Sequence, residues 1–179
     1  MITILKSADR GHLSHGWLDT KHSFSFGEYY DQDRMGYRAL RVINEDVIDA
    51  GQGFGLHPHR DMEILTYIIS GELAHQDSMQ NTATIGPGRI QRMSAGTGIR
   101  HAEFNPAESE AVHLLQIWLQ PDATGHTPSY EEMEISDDDT HNRLCLLASG
   151  DETDGATTWH QNALHVSFSL APEKWPLGE

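Results

Sequence analysis

The sequence predicts an all-β sandwich or barrel. Three observations carry this expectation: sustained helical periodicity is absent, short apolar runs recur along the chain, and Gly, Pro, Asn and Asp punctuate them. In chain order the expected strands are Ile2–Leu5, Tyr37–Val42, Glu63–Ile69, Leu73–Asp77, Ala83–Ile85, Arg89–Met93 and Val112–Leu119. Turn signals lie between them at Ser70-Gly71, Gln80-Asn81, Gly86-Pro87-Gly88, Gly96-Thr97-Gly98 and Asn105-Pro106. Pro128–Ile135, with Glu131, Glu132 and Glu134, reads equally as a short strand or a helical turn. Arg143–Ala148 and Leu164–Leu170 resume strand character; in the latter, Leu164, Val166, Phe168 and Leu170 alternate with His165, Ser167 and Ser169.

Composition shifts after Leu119 toward Asp, Glu, Thr and His. Residues 121–142 therefore read as a surface connection between a main β unit, residues 1–120, and a shorter one, residues 143–179. The shorter unit is too small to close a barrel of its own. It has to pack on the first unit, pair with another chain, or represent part of a longer ancestor.

Charge and cysteine content narrow the function classes. Twelve Lys+Arg stand against 27 Asp+Glu, a formal charge of −15, and the basic residues are scattered singly. Such a chain is repelled by phosphate backbones, so direct nucleic-acid binding is not expected. No apolar run approaches the roughly 18 residues of a membrane span, and the first residues, MITILKSADR, lack a signal-peptide layout. Cys145 is the sole cysteine and cannot form an internal disulfide. The expectation is a soluble, cytoplasmic globular protein.

Twelve histidines are many for 179 residues, and their placement is informative. Within Gly51-Gln-Gly-Phe-Gly-Leu-His57-Pro-His59-Arg-Asp-Met-Glu63, side chains two apart on a strand point the same way. An extended His57-Pro58-His59 thus aims two imidazoles at one side, half of a transition-metal site. Pro58 has no N–H to donate, which suits an edge or irregular stretch. An isolated His-x-His is common by chance, but a second pair follows: His101 and Glu103 repeat the spacing just after the turn Gly96-Thr97-Gly98. If both pairs face one barrel interior, three imidazole nitrogens and one carboxylate oxygen meet. That set suits Fe(II), and also Mn, Co, Ni, Cu or Zn, with positions left for substrate or O2.

These residues carry a family resemblance. The run from Gly51 through His57, His59 and Glu63 to Gly71, and the run from Gly88 through Gly96 and His101 to Asn105, resemble the two cupin motifs. The second departs from the general pattern, with Ser94 where proline is usual and two extra residues before His101. Those departures are similar to pirin and its bacterial relatives. So are His22-Ser-Phe-Ser-Phe26, Met35-Gly-Tyr-Arg-Ala-Leu-Arg-Val-Ile-Asn44, Met93-Ser-Ala-Gly-Thr-Gly-Ile99, His113-Leu-Leu-Gln-Ile-Trp118 and Pro128-Ser-Tyr-Glu131. The resemblance covers nearly all of residues 1–135. It implies a double-stranded β-helix, or jelly-roll, barrel that is complete in the N-terminal unit and truncated in the second. It also places metal ligands on His57, His59, His101 and Glu103. General cupins use the glutamate of the first motif, here Glu63. In pirin-like proteins that role passes to the second motif, so Glu103 ranks first and Glu63 is left as an acceptor orienting an imidazole.

Several pirin-like bacterial proteins are quercetin 2,3-dioxygenases, so the resemblance implies a metal-dependent cleavage of a flavonol by O2. The metal would be Fe(II) first, with Zn, Mn, Co, Ni or Cu as alternatives. Glu103 would be the general base, and a small aromatic molecule the substrate. The alternative is a non-catalytic metal-binding protein that acts through protein partners or senses redox state, as implied for pirin itself. A degenerate member with a pocket left open to water is a third reading. Strands without in-chain neighbours further suggest a homodimer, with the segment around Trp159–Leu170 lying against a partner or over the first barrel. Phe24, Phe26, Tyr29 and Tyr30 either line an aromatic-binding mouth or pack under a barrel end, and Phe54 and Met62 flank the ligand strand as pocket walls. Arg60 and Asp61 read as a surface pair, His113 as structural and Cys145 as core. The other histidines, His75, His126 and His160 among them, receive no chemistry.

Overall fold

A computed structural model describes residues 4–141, 144–150, 156–161 and 166–168. Its strands are β1 (Gly11–Ser14), β2 (Leu18–His22), β3 (Leu40–Ile48), β4 (Gly53–His59), β5 (Glu63–Ser70), β6 (Leu73–Asp77) and β7 (Thr82–Ile85), followed by β8 (Arg89–Ser94), β9 (Ile99–Phe104), β10 (Val112–Leu119) and β11 (Ser129–Glu134). A single helical turn, α1 (Asp137–Thr140), precedes β12 (Cys145–Ser149), β13 (Thr157–Thr158) and β14 (Val166–Phe168). Among the described residues, no helix is long and apolar enough to cross a membrane.

A large sheet in the order β1-β2-β3-β10-β5-β8-β11 faces a smaller one in the order β4-β9-β6-β7. Their inner faces interlock. Leu18, Ile48, Ile68 and Leu114 of the large sheet meet Leu73 and Ile85 of the small one, and Ile64 and Met93 meet Ile99. All strand pairs within these two sheets are antiparallel. The pattern is the expected jelly-roll barrel.

β5 explains why its sequence is a continuous apolar run rather than an alternation. Glu63, Ile64, Leu65 and Thr66 are all buried, because both faces of the strand are covered. Ile64 and Ile68 point into the barrel, whereas Leu65 packs on the outside against Leu147, Ala148 and Trp159. The described part of the C-terminal segment therefore lies over the first barrel of its own chain. A buried aromatic side chain removes about 150–250 Å² from water, worth on the order of 4–6 kcal/mol as an upper bound; Trp159, only 1% exposed, is the main such anchor. Beyond residue 143 the described strands form a three-stranded sheet, β13-β12-β14, not a closed barrel.

Several expected boundaries move. Residues 2 and 3 of Ile2–Leu5 lie outside the described residues, and Ile4 and Leu5 form no strand. The strand expected from Tyr37 begins at Leu40 instead, because Arg38 adopts φ 54 and turns the chain so that Tyr37 bonds back to Leu40. The segment left undecided at Pro128–Ile135 is strand β11, which extends the edge of the large sheet within the 121–142 connection. There Arg92, 1% exposed, donates to Ser129 Oγ at 2.6 Å and pairs with Glu131. Arg143 and residues 164, 165, 169 and 170 of the two last expected strands lie outside the described residues.

Candidate metal centre

β4 runs along the edge of the small sheet and, among the described residues, pairs only with β9, where the missing N–H of Pro58 is tolerated. The two strands approach closely at Gly53. A Cβ there would lie 2.3 Å from the Glu103 carbonyl oxygen, so the position has no room for a side chain. Between Phe54 and His57 the register slips, and such an irregularity re-aims the following side chains. His57 then sits directly opposite His101.

Period two does the rest. The rings of His57, His59 and His101 form a triangle with centroid separations of 4.8, 4.4 and 4.8 Å. Each offers one ring nitrogen, and the three nitrogens lie within 4.8 Å of one another. His57 Nδ1 is 2.8 Å from the Gly55 carbonyl, to which it donates, leaving Nε2 as the bare nitrogen. His59 Nε2 and His101 Nε2 are buried and have no hydrogen-bond partner. Unpartnered buried nitrogens normally cost free energy, so a set of them converging on one point fits a first-row divalent ion. Burial, with His57 beside it, pushes His59 down to about 4. Burial and the neighbouring rings of His57, His59 and His75 push His101 down to about 2. Both rings are thus neutral near pH 7, the form that ligates.

Glu103, two residues after His101, is buried and lines the same cavity of about 190 Å³ as His57 and His59. Its carboxylate stands outside the triangle of nitrogens and instead falls within 4.8 Å of His75 and His101. Gln91 Nε2 donates to its Oε1 at 2.8 Å and Gln116 Nε2 to its Oε2 at 2.9 Å. Burial raises its pKa to about 7, against the lowering effect of those two amides. The cavity walls are flat and apolar where Phe26, Phe54 and Trp118 stand. Trp118 meets the edges of both Phe26 and His59. Asn44 and Asp46 add a polar end.

Of the other aromatics weighed in the sequence, Tyr29 stacks on His22 and Tyr30 is exposed, so neither lines this cavity. Met62 packs with Met93 and Ile99 in the core. His113 is held by Glu45 at 3.0 Å, a structural role. Asp61 accepts from the Gly125 backbone N–H rather than pairing with Arg60. Cys145 packs half-buried against the outer cluster.

Two sequence readings need correction. Glu63 does not orient an imidazole of the triad. It points to the outer face of the large sheet, where its Oε1 accepts from Ser94 Oγ at 2.7 Å and pairs with His160 Nδ1 at 3.1 Å. Ser94, the residue that replaces proline in the second motif, is thereby the donor that keeps Glu63 buried. His75, assigned no chemistry, lies in the inter-sheet core with its Nδ1 3.4 Å from His101 Nδ1 and its Nε2 3.2 Å from Asp77 Oδ2. The signal was present as a third i, i+2 pair of potential ligands, His75-Gln76-Asp77. Gln91, Gln116 and Trp118 had no sequence signal of their own.

The pirin family profile matches residues 5–119. The chain belongs to the pirin family. It is 53% identical over 174 residues to the quercetin 2,3-dioxygenase of Escherichia coli (strain K12), covering 97% of this chain and 74% of that relative. The crystal structure of YhhW from Escherichia coli superposes with a TM-score of 0.83 at 53% identity, over 88% of this chain and 66% of that one. A second structure with the same TM-score and coverage, at 52% identity, is the bacterial pirin YhhW in complex with nickel(II). This pirin thus spans about two thirds to three quarters of the length of these relatives. One of them is a complex with nickel(II), and this pirin carries clusters of histidine and glutamate side chains that could hold a metal ion.

Proposed function

We propose that this pirin is a metal-dependent dioxygenase that cleaves quercetin-like flavonols with O2. In this reading His57, His59, His101 and Glu103 hold one divalent first-row ion, Fe(II) foremost. The observation that carries it is the convergence of neutral imidazoles with unpartnered nitrogens beside a buried carboxylate, in an aromatic-walled cavity. Similarity to the Escherichia coli quercetin 2,3-dioxygenase supplies the substrate class.

When bound, such an ion supplies Lewis acidity toward a substrate oxygen. The protein does the remaining work. Phe26, Phe54 and Trp118 present flat faces that take up a fused aromatic ring system and exclude water from around it. Glu103 takes the proton of the flavonol hydroxyl on a carboxylate oxygen. Its burial in the metal-free chain favours the protonated form and makes the carboxylate a stronger base than an exposed one. Gln91 and Gln116 each occupy one lone pair of that carboxylate and fix its plane while leaving further acceptor capacity on each oxygen.

The test is loss of quercetin absorbance with protein reconstituted separately with Fe, Mn, Co, Ni and Cu. Turnover above the free metal with at least one ion, abolished by Glu103→Gln, is the expected result. No turnover above free metal with any of them contradicts the reading. We further propose a cytoplasmic location and, because β13 and β14 are edges of their sheet among the described residues and open edges invite pairing, a homodimer. A sharp monomer mass by light scattering at micromolar concentration contradicts the dimer.

A further inference from the structure

We propose that His75 and Asp77 fix the tautomer of His101, and so decide which nitrogen of that ring is presented to the metal. The inference rests on the reading above that His101 is a ligand. It makes His75 a positioning residue, one shell removed from the ion.

The placement comes from strand register. β6 pairs antiparallel with β9 so that His75 stands opposite Glu103 and Asp77 opposite His101. Both pairs have the i, i+2 spacing, so all four side chains point into the barrel. The side chains of His75 and Asp77 are fully buried. Asp77 caps the turn after β6. Its Oδ1 accepts the backbone N–H groups of Met79 and Asn81, and its Oδ2 accepts Asn81 Nδ2 at 2.8 Å. A carboxylate held by that many donors acts only as an acceptor.

From Asp77 the proton positions follow link by link. Asp77 Oδ2 has to accept from His75 Nε2–H across 3.2 Å. A neutral imidazole protonated at Nε2 is bare at Nδ1, so His75 Nδ1 accepts from His101 Nδ1–H across 3.4 Å. His101 is then bare at Nε2, the buried nitrogen that has no partner and belongs to the histidine triangle. The opposite assignment would turn the His75 lone pair on the Asp77 carboxylate and leave an N–H of His101 pointing at the ion. Tyr130 stacks on the His75 ring at 4.7 Å, and its hydroxyl lies 3.3 Å from Gln91 Oε1, which fixes the plane of that ring. His57 gets the same service from a backbone carbonyl, that of Gly55. Groups that orient a metal-binding imidazole are worth about 10–100-fold in affinity.

The most direct test needs no variant. Long-range ¹H–¹⁵N spectra of the metal-free full chain should show His101 protonated at Nδ1 and bare at Nε2, with His75 protonated at Nε2. The opposite tautomer at His101 overturns the proposal. Two variants sharpen it, with thermal unfolding recorded to establish that each is folded. His75→Phe keeps the ring shape and removes the acceptor, and should weaken nickel(II) binding by about 10–100-fold in calorimetry. His75→Asn restores an acceptor oxygen near the Nδ1 position and should bind within a few-fold of wild type, with cobalt(II) absorption bands unshifted. Wild-type affinity in a folded His75→Phe overturns the proposal. So does an equal loss in His75→Asn with altered cobalt bands, which would make His75 a direct ligand of an inner ion with His101 and Glu103. A wild-type chain that binds no nickel(II) refutes the metal-site reading itself, and with it this inference.

Discussion

Glu63 and Glu103 are both buried carboxylates, 0% and 3% exposed, and each closes one of the two histidine-bearing motifs. Their surroundings differ. Glu103 looks into the space between the sheets, and nitrogens around it are left without partners. Glu63 lies on the outer face under the C-terminal segment, tied to Ser94 and His160. Among the described residues no candidate ligand group includes Glu63. Burial of a polar group is therefore not what marks the site. Nor is an unpartnered buried atom by itself the mark, since Glu63 Oε2 and Trp159 Nε1 in the outer seam also lack partners; the mark is a set of imidazole nitrogens that converge on one cavity.

That contrast predicts separable phenotypes. Trp159→Ala should empty the outer seam and cost about 3–5 kcal/mol in urea unfolding, with nickel(II) affinity unchanged within a few-fold. A comparable loss of metal binding would show that seam and cavity are one cooperative unit. His101→Ala should do the reverse, reducing nickel(II) affinity by more than the ~100-fold upper range for a supporting group. Its unfolding free energy should fall by less than that of Trp159→Ala. Ser94→Ala removes one of the two partners of Glu63 Oε1 and should cost about 1–3 kcal/mol, again without effect on the metal.

A further effect is a pH dependence of the metal-free protein. Folding raises the pKa of Glu103 from 4.5 to about 7. Between those values the folded chain keeps a proton that the unfolded chain has released, so this contribution to stability declines as pH rises through the window and is level above it. Glu103→Gln removes the term. The melting temperature of wild type minus that of Glu103→Gln should therefore fall between pH 4.5 and pH 7. A difference independent of pH would contradict the environment assigned to Glu103.

The part of the site legible in the sequence was the part written in period two. His57-x-His59 and His101-x-Glu103 each put two side chains on one side of a strand, and no tertiary knowledge was needed to see it. His75-x-Asp77 had the same spacing but stood outside the glycine-rich motifs, and only the register of β6 against β9 gives it a partner. Gln91, Gln116 and Trp118 come from strands of the opposite sheet, so their meeting with Glu103 depends on how the sheets face. In the fold, β2 escaped notice because, apart from Leu18, its buried side chains are polar. Thr20 bonds Asp46 at 2.5 Å and His22 bonds Asn44 at 2.7 Å, all four residues buried. Hydropathy cannot reveal a strand whose buried side chains satisfy one another. The role of Glu63 was hidden for a different reason: which face of β5 it occupies matters only once Trp159 and His160 cover the outside.

The central claim is that two strands deliver a working set of metal donors to one cavity. Elemental analysis of freshly purified wild type beside His57→Ala tests it most directly. One first-row divalent ion per chain in wild type, and none retained by a folded His57→Ala, is the predicted result. A metal-free wild type that takes up no added nickel(II), or a variant that keeps its full complement, would contradict it.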